Sequence, residues 1–352
     1  MTSASGSTAR GRTAARRDAP AATLEMVAAR AGVSPSTVSR ILNGTAGVSE
    51  AKRKAVAAAI AELGFVPNPM ARGLAGGRTL SVGVVTPTFD SPYYGVALHG
   101  IEDELAGAGY SPLIVSARFD AAQEARGIEV LRSRRVDGLI VLDGRLGAAA
   151  LRAHARALPV VVTGRALKAP NLYALNFDNF EGGRLATAHL LGLGHRRIAC
   201  IAGDPSHADA NERLAGYRAA LEAAGLAYEP ARVVPGELHE ASGLAAVERL
   251  LDSGVDFTAL FAANDQMAFG AALGLHRRSL RIPQDVSLVG YDDIASALYA
   301  APPLSTVRQS GFELGQCAAT AMLQFLAGER PRVKLPAPTF VMRESTRAPR
   351  PS

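Results

Sequence analysis

Ala31-Gly32-Val33-Ser34-Pro35-Ser36-Thr37-Val38-Ser39-Arg40-Ile41-Leu42-Asn43 is the stretch on which the reading of this chain turns. Ahead of it, Leu24, Val27, Ala28 and Ala31 fall on one face of a helix that opens after Thr23, and Gly32 breaks that helix. Ser34-Pro35 then offers an N-cap with proline at the first helical position. Val38, Ile41 and Leu42 supply the inward face of a second helix, which ends near Asn43-Gly44. A third begins after Ser49 and carries Ala55, Val56, Ala59, Ile60 and Leu63 as an apolar stripe, stopped by Gly64. Three short helices with a tight glycine turn between the first two predict a helix-turn-helix. Its second helix presents Ser34, Ser36, Thr37, Ser39 and Arg40 at its N-terminus and outer face, as entry into a DNA major groove requires. Hydroxyls and helix N-terminal amides suit phosphates, and Arg40 can grip a guanine edge with two bonds.

The charge distribution agrees. The 352 residues carry a net +6, and that length predicts two or three domains. Residues 1–78 hold 11 Lys and Arg against 4 Asp and Glu, while the remaining 274 hold 27 against 28. A small polyanion-binding module on a near-neutral body fits this division, and a uniformly basic protein does not. An ordinary solvated helix hairpin would leave the local excess unexplained. Residues 1–22, with Arg10, Arg12, Arg16 and Arg17 among small polar residues, read as a disordered basic tail. Arg16-Arg17 lacks the apolar segment an export signal needs. With 48% apolar and 20% charged residues the chain is a globular protein. No apolar run reaches the ~18 residues of a membrane helix, and Cys200 and Cys317 cannot build a disulfide framework. A cytoplasmic protein without a membrane partner is expected.

Residues 67–79 read as a junction. Pro67-Asn68-Pro69 opens a very short helix, Met70 to Ala75, weakened by Gly73 and bounded by Gly76 and Gly77. Two turns cannot stand alone in water, so this segment should fold only when something holds it; a plain linker is the competing reading. From Leu80 the texture becomes alternating strands and helices. Strand-like runs are Leu80–Val85, Leu113–Val115, Gly138–Leu142, Val160–Thr163, Ile198–Ile201, Leu260–Ala263 and Val286–Gly290. Their continuous apolar character predicts parallel sheets covered on both faces. The runs Ile101–Val115 and Tyr217–Val234 share a helix-glycine-tyrosine-strand order. Two similar α/β subdomains follow, dividing near Pro170–Asp178, with a ligand cleft at the strand ends.

No catalytic constellation emerges, so an enzyme is not expected. Gly182-Gly183 and Gly192-x-Gly194 have the wrong spacing for a dinucleotide fingerprint. The seven histidines show no paired metal spacing, and no Gly-x-Ser-x-Gly elbow occurs. Neither a metal nor any other cofactor is implied. Phe89-Asp90, after the first strand of the body, could offer an aromatic face and a hydroxyl acceptor, although a simple loop serves equally. Arg165 follows the strand Val160–Thr163 and is a further candidate.

Thr23 to Asn43, followed by Val48-Ser49-Glu50 and Leu63-Gly64-Phe65-Val66-Pro67-Asn68, resembles the DNA-binding headpiece of the lactose/galactose repressor (LacI/GalR) family. The resemblance runs over about residues 22–346. His195-Arg196-Arg197-Ile198, Arg213-Leu214-Ala215-Gly216-Tyr217, Asn264-Asp265-Gln266-Met267-Ala268, Val289-Gly290-Tyr291-Asp292-Asp293 and Pro302-Pro303-Leu304-Ser305-Thr306-Val307 stand in family order. It implies an N-terminal all-α helix-turn-helix headpiece (23–66) with a hinge helix (67–79), followed by an α/β periplasmic-binding-protein-like body of two parallel-sheet subdomains (80–345) and a tail. The body would divide into about 80–172 with 307–336, and 173–306 with 337–345. DNA contacts would come from Thr23, Ser34, Pro35, Ser36, Thr37, Ser39, Arg40, Asn43 and Ser49, and from Asn68, Ala71 and Leu74 of the hinge, Leu74 wedging into a base step. Arg213, Asn264 and Asp292 match effector positions, supported by Phe89, Asp90 and Arg165. Their donors and acceptors suit a polyol. Where relatives often carry an aromatic stacking group, this chain has Leu238. The implied function is a homodimeric regulator of double-stranded operator DNA, a repressor released by a sugar-type effector. Two other readings stand beside it: a ligand that acts as corepressor, as in purine-sensing relatives, and a sugar-binding transport receptor, against which the headpiece argues. The chain lacks the C-terminal leucine-rich heptad helix of tetrameric relatives, so a dimer is expected.

Overall fold

A computed structural model describes residues 22–42, 47–65 and 78–350. The expectations for the tail 1–21, for Asn43, and for Asn68, Ala71 and Leu74 of the hinge lie outside the described residues. Two compact units divide between Thr79 and Leu80.

In the first unit, α1 (Leu24–Ala31), α2 (Pro35–Leu42) and α3 (Glu50–Leu63) surround a small core of Val27, Ala28, Val38, Val56 and Ala59. Local chemistry sets the ends. The Thr23 hydroxyl caps α1 by accepting from the Met26 amide at 3.3 Å. Gly32 closes the same helix at φ +65°, a conformation that costs glycine little.

The second unit holds two sheets. The first has the order β2 (Ser111–Ser116), β1 (Ser81–Thr86), β3 (Gly138–Val141), β4 (Val160–Thr163), β5 (Leu172–Leu175), all parallel. The second runs β7 (Val233–Pro235), β6 (Ile198–Ala202), β8 (Ala259–Ala262), β9 (Ser287–Asp292), β10 (Ser305–Arg308), with β11 (Thr339–Val341) added antiparallel at the edge. Apart from that edge strand the second sheet repeats the order of the first. Each therefore has its own switch point, between β1 and β3 and between β6 and β8, where open α/β sheets bind ligands. Between the strands lie α4 (Pro92–Gly107), α5 (Ala121–Ser133), α6 (Ala148–Ala155), α7 (Asn179–Gly192), α8 (Ala208–Ala223), α9 (Glu240–Asp252) and α10 (Asp265–Arg277); α11 (Gly311–Leu326) follows β10 and packs on the first sheet. The chain thus passes between the sheets after β5, after β10 and again before β11.

Three helix pairs, α4 with α11, α7 with α8 and α9 with α10, are drawn together by glycines on both members. A Cβ at Gly100 or Gly315, at Gly183 or Gly216, or at Gly243 or Gly270 would strike the facing backbone. Gly183, no part of a nucleotide loop, is thus a packing residue.

Candidate functional site

The α2 surface is built for outward contact. Ser34, Pro35, Ser36 and Arg40 are exposed, Thr37 and Ser39 half-buried, and Val38 fully buried beneath them. The Ser34 hydroxyl accepts from the Thr37 amide at 3.2 Å, and it also meets the hydroxyls of Ser36 at 2.8 Å and Thr37 at 2.9 Å. Three of the candidate hydroxyls therefore already satisfy one another at the helix N-terminus. Arg40 makes no hydrogen bond or ion pair with any described residue, whereas Arg30 pairs with Glu62 at 2.7 Å. Thr23 and Ser49 are exposed at the starts of α1 and α3, and the Ser49 side chain caps nothing.

The body presents a second site. The close α7–α8 packing at Gly183 and Gly216 sets Arg213, on α8, against Asn179, the first residue of α7. Arg213 Nε donates to Asn179 Oδ1 at 2.8 Å and Nη1 to the Ala263 carbonyl at 2.6 Å. The guanidinium stacks 3.8 Å over the Tyr291 ring and stands 3.5 Å from Asp292. Nη2 has no hydrogen-bond partner among the described residues, so one edge of the fork is open. Burial works against this charge, but Asp292, Tyr291, Asp209 and Tyr93 outweigh it and hold Arg213 above its usual range. Asp292 closes β9 at φ +102° and is only 8% exposed. Its carboxyl accepts no hydrogen bond from any described residue, and burial pushes it up to about 7 despite Arg213. Asp293 differs sharply: it binds Arg308 at 2.7 Å and Arg343 at 2.6 Å, and so pins the C-terminal crossing segment.

Arg213 and Asp292 are thus brought together. Asn264 lies beside them through Ala263, but its amide serves the fold. Oδ1 caps α10 at the Met267 amide, and Nδ2 donates to the Leu238 carbonyl, each at 2.9 Å. Phe89 and Asp90 do not join the group. The ring is 61% exposed, and Asp90 accepts from the Thr88 hydroxyl at 3.4 Å. That loop instead reaches the second subdomain through Ser91, whose hydroxyl donates to Gln266 at 3.2 Å. Arg165 does not join it either; its guanidinium donates to the Leu146 carbonyl. Burial lowers its pKa from the ordinary value, against the attraction of Glu124 and Asp143.

Other groups, not singled out by sequence, converge here. Asp143, just past β3, accepts from Tyr94 and Thr163, each at 2.8 Å. Asp209 stands in the first turn of α8, and its carboxyl accepts no hydrogen bond from any described residue. Burial, then the nearby Asp143 charge, holds its carboxyl well above the ordinary value. Tyr93 accepts from Gln309 at 3.2 Å, and the buried Asn179 Nδ2 has no partner among the described residues. Arg145 crosses to Asp204 at 2.9 Å and to Ser206 and His207, while Phe119 meets the His207 ring edge-on at 5.6 Å. The available signal was position: Asp143 follows a strand, and Asp209 opens the helix after one, where α/β proteins place ligand groups. No group of three or more metal-ligating side chains occurs among the described residues, and no described helix is long and apolar enough to cross a membrane.

Comparison with known proteins agrees with this geometry. The family model "Bacterial regulatory proteins, lacI family" matches residues 23–68, and "Periplasmic binding proteins and sugar binding domain of LacI family" matches residues 79–343. The chain is 36% identical over 305 residues to the HTH-type transcriptional repressor PurR of Haemophilus influenzae, covering 86% of this chain and 90% of that one. Among solved structures, the lac repressor dimer bound to operator and the anti-inducer ONPF matches with a TM-score of 0.85 at 32% identity, covering 93% of this chain and 100% of that one. The complex of the transcriptional regulator CelR with cellobiose matches with a TM-score of 0.70 at 37% identity, covering 92% and 99%. The chain belongs to the LacI family of bacterial regulatory proteins and is a DNA-binding transcriptional regulator with a helix-turn-helix unit and a two-sheet α/β body.

Proposed function

We propose that the chain is a non-enzymatic cytoplasmic repressor that binds a near-palindromic operator as a homodimer and leaves it when a small sugar-type inducer fills the cleft of the body. One α2 would enter each major-groove half-site. Arg40 would read a base, Thr23, Ser34, Ser36, Thr37, Ser39 and Ser49 would hold phosphates, and Pro35 would pack against the groove wall. Asn43, Asn68, Ala71 and Leu74 complete the proposed surface. In the cleft, Arg213 and Asp292 would bind hydroxyls, and Asn264 would position the α10 terminus behind them. The observation that carries the effector reading is the fork of Arg213, buried, fixed on three sides and open at one edge beside a carboxyl without a donor. Such preorganised polar groups at strand ends are how α/β folds recognise small polar ligands. The cellobiose complex of CelR and the operator complex of the lac repressor support the two halves of the reading.

Gel shifts of the full chain on its operator, with and without cellobiose and simple hexoses, test it. An inducer weakens the shifted band, and linkage requires operator to weaken that sugar's binding by the same factor. The likeness to the repressor PurR favours one second reading, a corepressor; there the ligand strengthens the band. Operator binding that survives removal of residues 1–78 would overturn the scheme.

A further inference from the structure

The cleft holds more carboxyls than one arginine balances. Asp292 at the end of β9 and Asp209 in α8 both act on Arg213, and Asp143 after β3 lies near enough to repel both of them. A Cβ added to Gly164 would collide with Asp143 Oδ1 and stand 3.5 Å from Asp209 Oδ2. Those two oxygens are therefore within roughly 6 Å of each other, a range in which like charges repel strongly enough to shift pKa values. Gly164 itself sits at φ +65°, so backbone conformation and space together keep this spot free of a side chain.

The neighbouring cations are engaged elsewhere. Arg145 binds Asp204 at 2.9 Å, Arg165 donates to the Leu146 carbonyl, and burial favours the neutral form of His207. Asp143 has two hydroxyl donors, from Tyr94 and Thr163. Among the described residues Asp209 has none, and the Asp292 carboxyl, more than nine-tenths buried, has only the Arg213 ion pair at 3.5 Å. Around a neutral ligand these carboxyls would have to take up protons or stay uncompensated in a drier cleft, which is costly. An ammonium brings a positive charge and three donors in a compact group.

We infer that the effector carries an amine beside its hydroxyls, an amino sugar or a similar polyhydroxylated cation, whose ammonium rests between Asp143 and Asp209 above Gly164 while its hydroxyls meet Arg213 and Asp292. This rests on the reading of the cleft as a sugar-type effector site and narrows it.

Calorimetry on the full chain at neutral pH tests the inference with matched sugars. Glucosamine and the β1,4-linked glucosamine disaccharide are compared with glucose and cellobiose, and with their N-acetylated forms; galactosamine and mannosamine are run against their own counterparts. The amine forms should bind about tenfold or more tightly than either counterpart. Asp209→Asn and, separately, Asp143→Asn should bring amine and hydroxyl forms to near parity. The ligand-free Asp209→Asn protein should melt no lower than the wild type, since it loses an uncompensated charge. A hydroxyl or N-acetyl form that binds as tightly as its amine overturns the cationic assignment and leaves the sugar reading standing. An amine preference that survives both variants overturns the seat above Gly164. Failure of every sugar in the series overturns both readings.

Discussion

Arg40 and Arg213 show two opposite ways of using the same side chain. Arg40 is exposed on α2 and bonded to no described residue. Arg213 is 7% exposed, bonded to Asn179 and Ala263, stacked on Tyr291 and beside Asp292. A free surface arginine suits a partner that brings its own dense charge, and its contribution is screened by salt. A buried one must have its geometry fixed beforehand, because an unpaired charge in that environment is expensive. The headpiece can therefore be altered with little effect on folding, whereas changes in the cleft touch recognition and stability together.

The largest effect expected from this contrast is at Arg213. Arg213→Ala leaves Asp292 without its counter-charge at 3.5 Å, and Asn179 Oδ1 and the Ala263 carbonyl without their donor, a loss of about 3–5 kcal/mol in stability and roughly 10 °C in melting temperature. Effector binding, which loses a charge-assisted donor pair, should weaken by ~100-fold or more in calorimetry. Arg213→Lys should recover little of either, since a point charge cannot span Asn179 and Ala263 at once. A variant that melts like the wild type would erase the contrast with Arg40.

Arg40→Ala should leave the melting temperature unchanged and cost about 1–3 kcal/mol of operator affinity, concentrated at one base position per half-site. Lys52→Ala is its control. That side chain is exposed at the start of α3, and its loss should weaken all sequences alike and lower the salt slope by about one. Binding to an operator library at two salt concentrations separates the two. A uniform loss for Arg40→Ala would place it among the phosphate contacts.

A pH measurement extends the comparison, because among the described residues the strongly displaced carboxyls, Asp292 included, all lie in the body. Asp292 titrates near 7 when folded and near 4 when unfolded. Between those values the folded state keeps a proton the unfolded state has released, so this group destabilises progressively as pH rises through the window. The neutral, buried His189, His195 and His207 act in the opposite sense, losing stability as pH falls through the ordinary histidine range. Melting of Asp292→Asn relative to wild type cancels the histidines. The difference should shift in favour of the variant by several degrees from pH 5 to pH 8, and a flat difference would mean that Asp292 is ionised throughout.

Much of this contrast was legible in the order of residues, and the part that was not has physical causes. Helix boundaries in the headpiece followed from Thr23, Gly32 and Ser34, because caps act over a few residues. The long apolar strands were visible for the same local reason. β5, β10 and β11 were not among the strand readings, and β7 entered only as the strand ending the run Tyr217–Val234. In β10, Ser305 and Thr306 are buried because Ser345 and Asp265 satisfy them from 40 or 41 residues away. Asp143 escaped notice likewise: its donors Tyr94 and Thr163 lie 49 and 20 residues off. Asn264 was read as a ligand group from its chemistry; that it also caps α10 at Met267 and holds the Leu238 carbonyl shows only in the fold. Phe89, Asp90 and Arg165 were placed by strand-end position alone, which locates a rim but does not say which side chains turn inward.

The smallest expected effect lies at Thr23, where the two styles of recognition overlap. Its hydroxyl accepts from the Met26 amide and so caps α1, while its proton, shared with the Glu25 carboxylate in the free protein, can turn to a phosphate. Thr23→Ala should cost about 1 kcal/mol of local stability, read as faster amide exchange at Met26 in the intact chain. Thr23→Ser keeps both functions and should behave as wild type. If the hydroxyl only caps, operator affinity falls by the same small factor at every salt concentration, because a neutral cap releases no counterion. If it also donates to a phosphate, Thr23→Ala weakens operator binding by more than the exchange data account for, while the salt slope still holds, since a hydroxyl neutralises no charge. Loss of affinity beyond the cap with an unchanged slope would thus assign to a single uncharged side chain of the headpiece the preorganised behaviour that Arg213 shows in the body.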